Sequence, residues 1–275
     1  MERLLANGAE LAYEVVGNGE SLVLIHGSVS AETNDCLLTE PTLTSRYRVI
    51  NYHRRGFHGS APHNGSFSLA QQAQDALAVI QELAGGRAHI AGHSYGGATL
   101  LQLALDAPQA VQTLSLLEPP LPVQSAEALF GRLAATIPMY ESGNHAGAIG
   151  AFLDIVLGPG EYQELCDANL PGGWLDRAVA DVDTLYQVEF PALGEWQFTR
   201  EMAARITQPV LSVVGENSDP FFREGDALIR EWFPQAETFV LPGASHGLQY
   251  MNPSGMAAGL VAFLEKHPLR VPTPA

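Results

Sequence analysis

Short, largely apolar runs alternate along this chain with segments whose apolar residues recur at helical spacing. Runs of the first kind predict strands, most of them buried on both faces of a sheet, at 21–25, 47–51, 88–91, 111–117 and 210–214. Leu69–Ala84 is the clearest segment of the second kind, with apolar residues every three or four positions and Gly85-Gly86 at its end. Alternating strands and helices predict a mostly parallel sheet with helices on both faces.

The pattern also predicts elements at both ends of the chain and an interruption in its middle. Asn7-Gly8 predicts a hairpin between strands at 3–6 and 11–16. Further helices are expected at 37–45, 223–233 and 254–266, and a further strand is expected at 237–241. Between 121 and 207 strand-like runs are absent, and helical segments are expected at 126–135, 146–157, 173–186 and, more loosely, 196–205. We therefore expect a core of residues 1–120 and 208–275, with 121–207 inserted as a helical unit over one end of the sheet.

Composition and charge exclude several classes of function. The 275 residues carry 30 acidic and 14 basic side chains, a net charge of −16, and offer no basic stripe for nucleic acid. No apolar stretch has the pattern of a signal peptide or the length of a membrane-spanning helix, so we expect a cytoplasmic protein that binds no membrane. Cys36 and Cys166 lie far apart and form neither a metal nor a redox motif. The sequence leaves a homodimer open.

The motif Gly92-His93-Ser94-Tyr95-Gly96 lies between a predicted strand and a predicted helix. In that context a Gly-x-Ser-x-Gly turn exposes the serine hydroxyl at a sharp bend, with glycines where side chains would collide with backbone. A serine hydroxyl is a weak nucleophile, so it needs a base within hydrogen-bond reach and a third group that orients the base. Ser94 is therefore the candidate nucleophile.

Polar residues that follow other predicted strands supply candidates for these partners. Ser28, Ser94, Glu118, Asp219 and His246 are all expected at the carboxyl edge of the sheet, where open α/β sheets bind ligands. His246 is the candidate base because it follows the last strand, in the chain order serine, acid, histidine. Glu118 and Asp219 each end a strand, and strand position alone leaves the choice of acid open.

Hydrolysis through a serine also needs two donors for the oxyanion that develops on the substrate. The backbone N–H of Tyr95 is one candidate, because it lies at the start of the helix that follows Ser94. The N–H of Ser28 is the other, and Gly27 before it allows close approach of the backbone.

Taken together, these motifs resemble the α/β-hydrolase family over nearly the whole chain. The motifs are His26-Gly27, Arg54-Arg55-Gly56-x-x-Gly59-Ser60, Gly92-x-Ser94-x-Gly96-Gly97, Leu117-Glu118-Pro119-Pro120, Gly215-Glu216 and Gly243-x-x-His246. In most of the family the acid stands at the position that is Ser218 here. A minority, including the zearalenone-lactone hydrolases, carries a glutamate about two dozen residues after the nucleophile, where Glu118 stands. The resemblance therefore favours Glu118 over Asp219.

The resemblance implies an α/β-hydrolase fold with a helical cap at 121–207. It implies a serine hydrolase that cleaves a carboxylic ester or lactone of a small apolar or aromatic substrate through an acyl-enzyme, without metal or cofactor. Family members that act on haloalkanes or epoxides need aspartate at the nucleophile position, so Ser94 argues against both. A C–C bond hydrolase, a perhydrolase, a thioesterase, a small-molecule receptor with little turnover and an inactive scaffold remain as alternatives. Trp174 and Tyr186 in the cap are expected to bind substrate, although packing of the cap onto the core explains such aromatic residues equally well.

Overall fold

The computed structural model describes residues 1–63, 65, 67–160 and 162–269. In these residues a sheet of eight strands has the order β1-β2-β4-β3-β5-β6-β7-β8. The strands are β1 (Glu2–Ala6), β2 (Ala9–Val16), β3 (Glu20–Ile25), β4 (Tyr47–Tyr52), β5 (Ala88–His93), β6 (Val111–Leu117), β7 (Val210–Gly215) and β8 (Ala236–Leu241). The predicted mostly parallel α/β sheet is thereby confirmed.

Strand direction changes only at the amino-terminal edge of the sheet. β1 and β2 form the predicted hairpin, and the turn between them has positive φ at both Asn7 and Gly8, as a tight two-residue turn requires. β2 pairs antiparallel with β4, and the pairings from β4 through β8 are parallel. Since β3 lies between β4 and β5, the chain crosses over it, and the carboxyl ends of β3, β5, β6 and β7 meet at one edge.

Helices cover both faces of this sheet and fill the segment between β6 and β7. They are α1 (Asp35–Leu38), α2 (Pro41–Thr44), α3 (Leu69–Leu83), α4 (Tyr95–Asp106), α5 (Ala126–Ala134), α6 (Ile137–Glu141), α7 (His145–Leu157), α8 (Tyr162–Asn169), α9 (Trp174–Ala180), α10 (Phe190–Glu195), α11 (Arg200–Ala203), α12 (Pro220–Trp232), α13 (Leu248–Met251) and α14 (Pro253–Leu264), with short 3₁₀ turns at Ala31–Asn34 and Pro108–Ala110 and a π-helical stretch at Thr184–Glu189. None of the described helices is long and apolar enough to cross a membrane.

Alternate residues of each buried strand pack against different helices because successive side chains point to opposite faces. In β3, Val23 and Ile25 join a cluster with α3, α4 and α12. Leu22 and Leu24 join a second cluster with α1, α2 and α14 on the other face. The continuous apolar runs of the sequence therefore reflect strands that are covered on both sides.

The structure differs from the expected helices in three places, and at one of them the looser helix expected at 196–205 is confined to Arg200–Ala203. The single helix expected at 37–45 is divided into α1 and α2, with Pro41 at the start of α2, where its missing N–H costs no hydrogen bond. The helix expected at 173–186 ends at Ala180, and the chain continues through the π-helical stretch Thr184–Glu189 into α10.

The end of the segment between β6 and β7 packs with the core of the sheet. Leu129, Ile149, Phe152 and Leu185 belong to a separate apolar cluster formed largely by α5, α7, α8 and α9. Trp196 and Phe198 instead pack with the cluster of α3, α4 and α12, and the Trp196 indole N–H donates to Gln102 of α4. These two aromatic residues therefore pack onto the core, which is the alternative interpretation given above for aromatic residues of the cap.

Two glycine substitutions test how tightly the structure constrains the backbone. Gly131 lies exposed within α5, and an added β-carbon there meets no heavy atom within 4 Å. We expect Gly131→Ala to raise the free energy of unfolding by about 0.5–1 kcal/mol, because alanine loses less backbone entropy on folding. A β-carbon at Gly96 would instead collide with the carbonyl oxygens of Ile25 and His26, so Gly96→Ala should be strongly destabilising. Urea unfolding of the two variants beside the wild type checks this, and equal midpoints for both variants would contradict it.

Candidate active site

Ser94 occupies a strained turn between the end of β5 and the start of α4. Its φ of 52° and ψ of −119° lie outside the regions that L-residues ordinarily adopt. The turn closes so tightly that a β-carbon at Gly92 would collide with the carbonyl oxygen of Gly96, and one at Gly97 would lie 2.9 Å from the ring of Pro119. The sequence motif therefore reflects a real lack of space around the serine.

His246 lies in the loop between β8 and α13 and reaches the Ser94 hydroxyl. Its Nε2 is 3.0 Å from Ser94 Oγ. The imidazole stacks on Phe222 at a centroid distance of 3.8 Å and an interplanar angle of 9°. Stacking and burial restrict the ring to an orientation in which Nε2 faces the serine.

Glu118 supplies the carboxylate on the other side of the imidazole. It follows β6 with a positive φ of 49°, and its side chain is fully buried. The Nδ1–H of His246 donates to Glu118 Oε2 at 2.6 Å, which leaves Nε2 free to accept the Ser94 proton. Glu118 Oε1 accepts from the Gly215 amide at 2.8 Å and from the Ser218 hydroxyl. Ser218, at the usual position of the family's acid, thus donates to the carboxylate that takes its place.

Asp219 makes different contacts. Its Oδ1 accepts from the Phe221 amide at 2.9 Å and so caps the start of α12, while Oδ2 pairs with Arg132 at 2.7 Å. The structure therefore brings Glu118, and not Asp219, into contact with His246.

The loop after β3 packs directly against the serine turn. A β-carbon at Gly27 would lie 3.0 Å from His93 Nδ1 and 3.2 Å from Ser94 Cβ. Ser28, Ser94 and Tyr95 line one cavity, and within the described residues neither the Ser28 nor the Tyr95 amide donates to another group. Val29, directly after Ser28, is held at a φ of 74°, which is unusual for a β-branched residue. Both amides are therefore free of other acceptors in the described residues. Their role as oxyanion donors stays a prediction.

The cavity beside Ser94 has two apolar lobes. Ser28, His246 and Phe152 line both of them. The Trp174 lobe is lined further by Val29, Leu153, Leu157, Leu170, Trp174 and Tyr250. The Phe222 lobe is lined further by Leu129, Leu133, Phe190, Leu193, Phe221 and Phe222. Helices between β6 and β7 supply much of both linings.

The two aromatic residues expected to bind substrate have different surroundings. Trp174 lines its lobe, and its indole N–H donates to Asp167 Oδ1 at 2.8 Å. Tyr186 lines neither lobe: its hydroxyl donates to Thr136 at 2.8 Å and its ring stacks on Tyr140 at 4.4 Å. The structure thus brings Trp174 to the cavity and places Tyr186 within the packing of the helical insertion.

This geometry agrees with comparison of the sequence to known families. The sequence model of the alpha/beta hydrolase family matches residues 22–259. The chain belongs to this family. The resemblance that the motifs carried is therefore confirmed for this α/β-hydrolase, and with it the fold.

Individual relatives are more distant. One relative is the dihydrolipoyllysine-residue acetyltransferase component of the acetoin cleaving system from Pseudomonas putida. The α/β-hydrolase is 29% identical to it over 261 residues, and the alignment covers 93% of this chain and 66% of the relative. It is 27% identical over 244 residues to the pimeloyl-(acyl-carrier protein) methyl ester esterase of Nitrosomonas europaea, covering 86% and 93%. A solved structure of a thermophilic esterase from Thermogutta terrifontis aligns with a TM-score of 0.82 at 20% identity, over 98% of this chain and 100% of that one. At that identity the likeness shows the fold alone.

His93 is a feature of this α/β-hydrolase site that sequence reasoning missed. Its Nε2–H donates to the carbonyl oxygen of His246 at 2.8 Å, and the two imidazole rings are 4.8 Å apart. Burial, reinforced by the nearby His246, lowers the pKa of His93 to about 3, so the ring stays neutral. A histidine at the end of a buried strand, next to the serine, was the only signal for this contact. In the described part of the chain, no group of three or more His, Cys, Asp or Glu side chains is arranged to hold a metal ion.

The neutral His93 makes the stability of this α/β-hydrolase depend on pH. An unfolded histidine binds its proton below about pH 6.5, whereas His93 in the fold does so only near pH 3. Between these values the unfolded chain holds more protons, so His93 makes the fold less stable as pH falls, by up to about 1.4 kcal/mol per pH unit. His93→Gln keeps an N–H donor but does not titrate.

The measurement is the difference in unfolding free energy between wild type and His93→Gln across pH 5 to 7.5. The wild type should lose stability relative to the variant on the acid side of this range. A difference that stays constant from pH 7.5 to pH 5 would show that His93 does not titrate as its surroundings indicate.

Proposed function

We propose that this protein is a serine hydrolase that cleaves a carboxylic ester or lactone of a small, apolar substrate. The observation that carries the proposal is the continuous relay from Ser94 Oγ to His246 Nε2 at 3.0 Å and from His246 Nδ1 to Glu118 Oε2 at 2.6 Å. The relay lies where two apolar lobes meet. The name of the Nitrosomonas relative, a methyl ester esterase, supports ester hydrolysis.

Acylation would begin with attack of Ser94 Oγ on the carbonyl carbon of the ester. His246 Nε2 takes the hydroxyl proton, and the Glu118 carboxylate stabilises the imidazolium that forms. The amides of Ser28 and Tyr95 hold the negative oxygen of the tetrahedral intermediate. When the intermediate collapses, His246 returns the proton to the leaving alkoxide, so that an alcohol departs and an acyl-serine remains. In a lactone the alcohol stays tethered to the acyl group.

Deacylation would repeat these steps with water. His246 Nε2 removes a proton from water as its oxygen attacks the acyl carbon, and the same two amides hold the oxyanion. Collapse breaks the bond to Ser94 Oγ, which takes the proton back from His246, and a carboxylic acid is released. Glu118 keeps its three hydrogen bonds throughout, so the carboxylate need not move during the cycle.

The lobes indicate which substrates fit on each side of the reacting carbonyl. A substrate with its carbonyl at Ser94 would place one apolar group in the Trp174 lobe and another in the Phe222 lobe. We propose that residues 121–207 act as the cap over this site and that Trp174 contacts the substrate. A contact of Tyr186 with substrate receives no support, since its hydroxyl and ring are used within the insertion.

Steady-state hydrolysis with active-site variants tests the proposal. We expect the wild type to turn over p-nitrophenyl butyrate or members of a series of alkyl lactones many times, and Ser94→Ala to turn over none. Glu118→Gln should lower kcat by about 10⁴-fold, because the imidazole loses the group that fixes its tautomer and stabilises its charge.

Asp219→Asn is the matched control, because it changes the rejected carboxylate and leaves the relay intact. It should leave kcat nearly unchanged. Loss of activity in Asp219→Asn with full activity in Glu118→Gln would contradict the choice of acid. Release of a single equivalent of product by a well-folded wild type would favour a receptor over an enzyme.

A further inference from the structure

Arg54 is a fully buried cation directly behind the loop that carries Ser28. It follows β4, and its side chain has no exposure to solvent. Its Nε donates to the carbonyl oxygen of His26 at 3.0 Å and its Nη2 to that of Gly27 at 2.7 Å. A guanidinium with two such bonds fixes the path of the chain from His26 to Ser28.

The carbonyl of Gly27 and the amide N–H of Ser28 belong to the same peptide group. In a trans peptide these two bonds point in opposite directions, so a donor on the oxygen side faces away from the N–H side. Hydrogen bonds to a peptide oxygen polarise the group and strengthen its N–H as a donor. Arg54 thus acts on the very peptide whose N–H is proposed to hold the oxyanion.

His26 adds a second donor to the same oxygen. Its Nε2 accepts from the Arg54 amide at 2.9 Å, so the ring proton sits on Nδ1, which is 2.7 Å from the Gly27 oxygen. Burial, together with the charge of Arg54, holds the pKa of His26 well below its usual range. The imidazole is therefore neutral and keeps a fixed tautomer.

Arg54 also contacts the residue that carries the other proposed donor. The guanidinium carbon is 4.7 Å from the ring centroid of Tyr95 and 4.7 Å from that of Phe57. Both sides of the proposed oxyanion hole, the Ser28 peptide and the Tyr95 residue, therefore pack against one buried cation.

Glu189 holds this cation from the helical insertion. Its Oε1 lies 2.6 Å from Arg54 Nη2, and both side chains are fully buried. A buried cation needs such a partner, because its desolvation is otherwise uncompensated. Thr184, in the same π-helical stretch, adds a hydrogen bond from its hydroxyl to the Gly56 carbonyl at 2.6 Å.

We propose that Arg54 is a positioning residue: it aligns and polarises the Gly27–Ser28 peptide for the oxyanion, and Glu189 of the insertion holds it in place. The inference rests on the proposed ester hydrolysis. Neither side chain lines the Trp174 lobe or the Phe222 lobe, so the effect should fall on the transition state, with ground-state binding largely unchanged.

The test measures kcat, KM and inhibition by an alkyl trifluoromethyl ketone, whose adduct with Ser94 places an oxyanion in the same position. Lysine keeps the charge of Arg54 but cannot reach both carbonyls and Glu189 together. In Arg54→Lys we expect kcat to fall about 10- to 100-fold, below the effect of losing a whole oxyanion donor. KM should stay nearly unchanged, and the inhibition constant of the ketone should rise by the factor by which kcat/KM falls.

Arg55→Lys is the matched control, since the neighbouring Arg55 pairs with Asp75 away from the serine. It should leave kcat and the affinity for the ketone unchanged. If Arg54→Lys does not fold, Glu189→Gln provides the second test, with a smaller loss of kcat and the same proportional loss of affinity for the ketone.

Unchanged kcat in a folded Arg54→Lys or Glu189→Gln variant would overturn the inference, and so would a loss confined to KM. If the wild type hydrolyses no ester and forms no ketone adduct, the proposed function fails and the positioning role falls with it. If the wild type is active and the Arg54 variants keep its kcat, only the positioning role is excluded.

Discussion

The close approach of backbone at Ser94 is the constraint on which the rest of the site depends. β5 must turn into α4 within one residue, beside the loop after β3, and glycines at 27, 92, 96 and 97 leave the space for it. Three non-glycine residues of the site, Val29, Ser94 and Glu118, have positive φ. Conformations of this kind cost about 1–3 kcal/mol each, and the two apolar clusters on the faces of the sheet offset that cost. The rigid sheet thus holds a strained turn with its hydroxyl exposed.

Burial makes the polar contacts around this turn strong and also sensitive to loss of a partner. The Glu118 carboxylate accepts three hydrogen bonds without exposure to solvent, and Arg54 and Glu189 form a buried ion pair. Removing one member of such a pair typically costs about 3–5 kcal/mol, because a buried charge is left unpaired. Through Glu189 the helical insertion is tied to the loop beside the serine. The insertion therefore contacts the surroundings of Ser94 through this ion pair as well as through the linings of the two lobes.

Local patterns in the sequence predicted most of the fold and the centre of the site. Apolar runs located the parallel strands, and the glycine-flanked Ser94 located the turn, because both depend on neighbours close in the chain. Strand position alone left Glu118 and Asp219 as equal candidates for the acid. The resemblance to relatives with a glutamate about two dozen residues after the nucleophile favoured Glu118. Contacts between distant segments escaped prediction: no local pattern shows that Arg54 meets Glu189, 135 residues later, or that His93 reaches the His246 carbonyl. The surroundings of Tyr186 escaped prediction for the same reason, since the sequence does not distinguish an aromatic residue that lines a cavity from one that packs within the helical insertion.

The most direct test of whether Ser94 is activated is the intact mass of the protein after treatment with a fluorophosphonate. We expect one adduct on the wild type and none on Ser94→Ala or His246→Ala. Ser28→Ala is the control, because Ser28 lines the same cavity but is proposed to act through its amide, so this variant should still be labelled. An unlabelled but folded wild type, or an adduct that persists in Ser94→Ala, would show that Ser94 is not the activated nucleophile.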